Sequence, residues 1–189
     1  CYFCVVPKKE GAYHRHQHPS EFVRHDKVKL LDNNWYADPE WFFETSEWLI
    51  ENEVAVDVTQ GMDIRLLTPE IAAQLKRLKW CAVLHFAFDD LRYTSKVLEG
   101  IKILKDAGIN TKNNCFFYVY CHDDSQYDSA LKRCRLLKEN GASAYVMFNM
   151  DMKRTTRIKH LQRWTAKPWL FWSFDIEQFT YNKAAWGRA

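Results

Sequence analysis

The chain has 189 residues, 47% of them hydrophobic and 27% charged, with a formal net charge of +3. That is enough apolar material to bury a core without disulfide staples, in a single domain. The charge is too small to announce nucleic-acid binding by itself, no run approaches the roughly 18 apolar residues of a membrane span, and no basic-then-apolar leader opens the sequence. A cytoplasmic protein with no membrane partner is the expectation.

The opening "CYFC" sets Cys1 and Cys4 two residues apart, the only cysteine pair at metal-ligand spacing. Cys81, Cys115 and Cys121 sit in or beside apolar runs and read as core thiols, and Cys134 reads as a packed thiol in a helix. This usage suits a reducing compartment. The "HRHQH" stretch, with His14, His16 and His18, reads as a solvated or substrate-facing loop. Joined to the opening cysteines it also offers a zinc site of the Cys2His2 type, the rival reading of this region.

Further along, short runs rich in β-branched and aromatic residues alternate with helix-period segments, the pattern of repeated βα units on a parallel sheet. The strand segments are "VKLLD", "VAVDVT", "AVLHFAF", "CFFYVYC" and "SAYVMFN". Between them lie "DPEWFFETSEWLIEN", "TPEIAAQLKRLK", "LRYTSKVLEGIKILKDAG" and "SQYDSALKRCRLLKENG". Asp38 and Thr68 are N-cap types, each followed by Pro and then Glu. Gly108 and Gly141 are placed to stop helices. Residues 1–150 form this βα body. Residues 151–189 form an irregular, aromatic C-terminal cap of the same domain. Its basic segment "KRTTRIKHLQRWTAK", with Trp164, Trp169 and Trp172, reads as a helix whose aromatics pack on the body. Base stacking and phosphate contact are the weaker reading.

Ligands of parallel α/β sheets bind beyond the carboxyl ends of the strands. Polar residues collect there: Asp32, Asn33 and Asn34; Thr59 to Asp63, including Gln60; Asp89 and Asp90; and His122 to Asp124. Any one of these sets serves turn chemistry. Four on one rim argue for a site. Arg65 can pair with a ligand carboxylate there, or with Asp63 or Glu70.

With one further cysteine four positions ahead of Cys1, the opening would read C-x3-C-x2-C before a βα series. In this the sequence resembles the radical S-adenosylmethionine (SAM) superfamily, truncated at its N-terminus. The resemblance implies an α/β partial (β/α) barrel of parallel strands lacking its first strand. It also implies a [4Fe–4S] cluster held by Cys1, Cys4 and the absent cysteine, one iron being left open for SAM. The activity implied is reductive cleavage of SAM to a 5′-deoxyadenosyl radical that abstracts hydrogen from a substrate, with electrons from an external donor. Phe3 would shield the cluster or touch adenine. Asp32, Asn33 and Asn34, followed by Trp35, would meet SAM's polar end, with Arg65 and Gln60 nearby. Asp89, in "LHFAFDD", would take the place of the acidic residue facing SAM. Phe148 and Asn149 would line the adenine side. The chain alone, short of a ligand and a strand, is expected to be inactive. The substrate is not legible. The alternative is a zinc-stabilised or cluster-free nucleic-acid-binding protein on the same scaffold.

Overall fold

A computed structural model describes residues 6–9, 11–149, 151 and 155–179. In chain order the elements are α1 (Val6–Lys9), α2 (Pro19–Phe22), β1 (Lys27–Leu30), α3 (Pro39–Glu51), β2 (Ala55–Val58), α4 (Pro69–Arg77) and β3 (Leu84–Ala87). They continue with α5 (Thr94–Asp106), α6 (Thr111–Asn114), β4 (Cys115–Cys121), α7 (Tyr127–Glu139), β5 (Ser143–Phe148), α8 (Thr156–Ala166) and α9 (Pro168–Ser173). All five expected strands and all four expected long helices are present.

Local chemistry sets the boundaries. Asp38 accepts a hydrogen bond from Trp41 N at 3.1 Å, and Thr68 Oγ1 from Ile71 N at 3.3 Å, so each satisfies an otherwise orphaned amide at a helix start. Past the ends of α5 and α7 the backbone turns left-handed at Gly108 (φ +76°) and Gly141 (φ +67°), conformations cheap only for glycine.

Every strand pairing among the described residues is parallel. β1 pairs with β2, and β3–β4–β5 form a second sheet. Two isolated parallel bridges, Val56 to Trp80 and Met62 to Phe86, link β2 to the chain around β3. The observed architecture is therefore mixed α/β with two small parallel sheets and no closed barrel among the described residues.

One face of β4, carrying Cys115, Phe117, Val119 and Cys121, is completely buried, and Phe116, Tyr118 and Tyr120 on the other face are half-buried. Helix α7 packs on β4 and β5, and α8 on β5. Each Phe or Leu fully withdrawn from water in this core contributes about 1.5–3 kcal/mol. Three cysteines are core, as expected: burial pushes the Cys115 and Cys134 thiols up to about 12, and Cys121 is also raised. Cys81 corrects that reading, because it is exposed. It lies on the approach to β3, where its amide bonds Val56 O at 3.1 Å and the regular strand has not yet begun.

Of the C-terminal tryptophans, Trp164 and Trp172 pack as expected and Trp169 does not. Trp164 is 1% exposed and its indole N–H donates to Phe174 O at 3.0 Å. Trp172 donates to Ser143 Oγ at 2.9 Å. Trp169 remains exposed.

Candidate functional site

The strands end where the polar sets were expected. β1 stops at Leu30, and Asp32, Asn33 and Asn34 follow at its carboxyl end. They line a cleft of about 850 Å³ together with Tyr13, His14 and His16 from the preceding arm and Trp35 and Trp41 beyond. Trp35 is fixed from below, its indole N–H donating to Thr45 Oγ1 at 3.0 Å. The arm is pinned over this corner of the molecule by Arg15, which donates to Asp38 at 2.7 Å and to Glu40 at 2.6 Å.

The three residues divide the work. Asn34 Oδ1 accepts from Asp63 N at 3.1 Å, tying the end of β1 to the loop after β2, and Tyr36 donates to Asp63 O at 2.9 Å in the same corner. Asp32 bears the cost of the site: burial raises its pKa against the pull of a backbone amide and of His16. A partly desolvated carboxylate in a cleft makes Asp32 a candidate ligand-binding group.

Asp89 stands at the carboxyl end of β3, outside the lining of that cleft. Its Oδ1 accepts from Tyr120 N at 2.9 Å, so it clasps β3 to β4, and burial raises its pKa while Tyr120 N–H and Arg133 oppose the rise. Arg133, 1% exposed, comes up from α7 to donate to Phe88 O at 2.8 Å and Tyr120 O at 2.9 Å. The sequence reading missed this residue. Its signal was there: Ala130, Arg133, Cys134 and Leu137 share one helix face, and all four are buried.

Of its two local partners, Arg65 takes Asp63 and not Glu70. Its guanidinium grips Asp63 at 2.7 and 2.5 Å and lies 4.4 Å from the Tyr93 ring centroid. Gln60 is exposed, and Phe148 ends β5 half-buried. Neither lines the cleft. Asn149 Oδ1 accepts from Asp151 N at 3.0 Å in the turn that follows. The structure thus gathers Asp32, Asn33 and Asn34 and leaves Gln60, Arg65, Asp89 and Phe148 elsewhere along the rim. Cys1, Phe3 and Cys4 lie outside the described residues.

His14 and His16 contact each other with ring centroids 4.5 Å apart, whereas His18 turns away to cap α2, its Nδ1 meeting Ser20 Oγ at 2.8 Å. Among the described residues no three His, Cys, Asp or Glu side chains gather as a metal site. No helix among them is long and apolar enough to cross a membrane. No family model, curated protein or solved structure matches the chain.

Proposed function

We propose that the chain is part of a radical SAM enzyme, its strands belonging to a partial (β/α) barrel whose mouth binds SAM. The observation that carries this reading is the cleft at the end of β1, where a desolvated Asp32 carboxylate sits beside two asparagine amides. The donor set suits the amino-acid end of SAM: Asp32 accepts from an ammonium, and the amide N–H groups of Asn33 and Asn34 donate to a carboxylate. The sequential parallel pairing supports it too, since a singly wound barrel brings every strand end to one rim.

Cys1 and Cys4, with a third thiolate, would hold a [4Fe–4S] cluster, which would supply the electron for cleaving the sulfonium. The described residues do the rest by holding and excluding. Asp32, half-buried in the cleft, attracts a ligand's ammonium when ionised more strongly than an exposed carboxylate does. Asn34, braced on the Asp63 amide, presents its N–H groups from a fixed position. Trp35 and Trp41 form an apolar wall that sheds water around the polar end.

The test is anaerobic iron–sulfur reconstitution of the chain extended upstream, followed by reductant and SAM. A brown protein that releases 5′-deoxyadenosine, with Asp32→Ala lowering the yield at least about tenfold, supports the reading. Stoichiometric zinc, no chromophore and no deoxyadenosine would favour the zinc-stabilised alternative.

A further inference from the structure

The arm that lines one wall of the Asp32 cleft is tied to the rest of the molecule unevenly. Residues 11–17 are all exposed, and Tyr13, His14, His16 and Gln17 among them line the cleft. Apolar burial therefore does little to hold them down. Among the described residues, every hydrogen bond and ion pair from this stretch to the body ends on two carboxylates, Asp38 and Glu40.

Arg15 carries most of them. Its guanidinium grips Asp38 with Nε at 2.7 Å and Nη2 at 3.1 Å, reaches Glu40 with Nη2 at 2.6 Å, and lies 5.6 Å from the Trp41 ring centroid. Tyr13 adds a longer hydrogen bond to Asp38 at 3.3 Å. Asp38 is a fixed post, because it also caps α3 by accepting from Trp41 N.

The two ends of the arm differ. At its C-terminal end Pro19 is buried and His18 caps α2, its ring edge-on to Trp41 and Trp48. That end is anchored. At the other, Gly11 turns left-handed (φ +74°) where a Cβ would meet nothing within 4 Å. The conformation favours glycine but no neighbour confines it, which suits a pivot. Between pivot and anchor, His16 stands close enough to Asp32 for its charge to act on the carboxylate.

Partly exposed ion pairs set the strength of this hold. With side-chain exposures of 39% for Arg15, 20% for Asp38 and 82% for Glu40, the pairs are weak and screened by salt. They favour the closed arm without locking it. An arm with a purely structural role would be held by backbone pairing or by buried apolar side chains, and residues 11–17 show neither.

We propose that residues 11–17 are a strap over the Asp32 cleft, latched by Arg15 on Asp38 and Glu40, and that release of this latch admits and discharges the ligand. The inference deepens the reading above and rests on that cleft as the ligand's site, but the strap's motion is measurable with no ligand present. Because the latch is ionic, salt sets the fraction that is open. Because both ends are tethered, the strap swings out and returns.

Hydroxyl-radical footprinting of the ligand-free chain tests it, with oxidation of Trp41 read against that of Trp169, which is exposed and outside the cleft. Raising salt from about 0.05 M to about 0.5 M should raise Trp41 labelling at least about threefold. Asp38→Asn combined with Glu40→Gln should give that rise at low salt and abolish the salt dependence; asparagine caps a helix as well as aspartate does, so α3 stays intact. Arg15→Met should do the same from the other side of the latch. Lys102→Met, which breaks an exposed ion pair on α5, should leave Trp41 labelling unchanged. In the reconstituted, upstream-extended chain, stopped-flow mixing should show the latch variants speeding SAM association and dissociation by a common factor of at least about threefold. Trp41 labelling indifferent to salt and to both sets of substitutions, or labelling that rises while SAM exchange keeps its original rates, would overturn the proposal. Failure of SAM to bind at all would instead remove the radical SAM reading, and the footprint alone would then decide the strap.

Discussion

In the proposed site, Asp32 sets folding against binding in a single carboxylate. Burial raises its folded-state pKa above the unfolded value, so the native state holds its proton more tightly. The sign follows from linkage: the penalty of ionising Asp32 is fully present above its folded pKa and disappears as pH falls through that value to the unfolded one. Asp32→Asn should therefore stabilise the chain at neutral pH and leave stability unchanged below the ordinary carboxylate range. Urea melts at the two pH values check this, and the same variant should lose SAM binding. Arg133 is the opposite case, a charge that the fold cannot do without. Arg133→Met strands the carbonyls of Phe88 and Tyr120 and removes the cation near Asp89, at a cost on the order of 3 kcal/mol. A shift of the urea midpoint close to zero would show that those carbonyls find other partners. Asp32 was legible from its place after a strand. Arg133 was legible only from the helical period, since its residue type argues for the surface.

Among the elements, helices and strands followed from local chemistry, but their contacts did not. The caps at Asp38 and Thr68 and the strict alternation of "CFFYVYC" have their causes within a few residues, so the sequence displays them. The clasp between α5 and the turn at Ile64–Leu66 has its cause in two segments far apart in the chain. Gly100 lies inside α5, where glycine normally costs about 1 kcal/mol relative to alanine. A Cβ at Gly100 would stand 2.4 Å from Ile64 Cγ1 and 3.2 Å from Ile64 O. Gly100→Ala should thus destabilise the chain by about 1–3 kcal/mol, against its helix propensity. In an Ile64→Ala background, which removes the side-chain clash and leaves only the contact with the residue-64 carbonyl, the same change should cost less. A double-mutant cycle of denaturant melts reads the coupling, and additive effects would contradict the close approach.

At the scale of the molecule, alternating βα units led to the expectation of a parallel sheet, and every pairing is parallel. The division into two small sheets was not legible, because it depends on how the segment before β3 meets β2. There only Trp80 and Met62 form bridges, and regular pairing gives way to single contacts. Period and propensity specify strands, whereas continuity between strands depends on the loops that deliver them. The candidate site was legible to the same degree: strand ends mark the rim, but only the fold separates the Asp32 cleft from Asp89 and turns Arg65 onto Asp63. The central claim is that this rim presents SAM to a reducible cluster. Electron paramagnetic resonance of the reconstituted, reduced, upstream-extended chain, recorded before and after SAM is added, tests it most directly. The account predicts a reduced-cluster signal whose shape changes with SAM and changes less in Asp32→Ala. A protein that takes up zinc in place of iron, or a cluster signal indifferent to SAM, would contradict it.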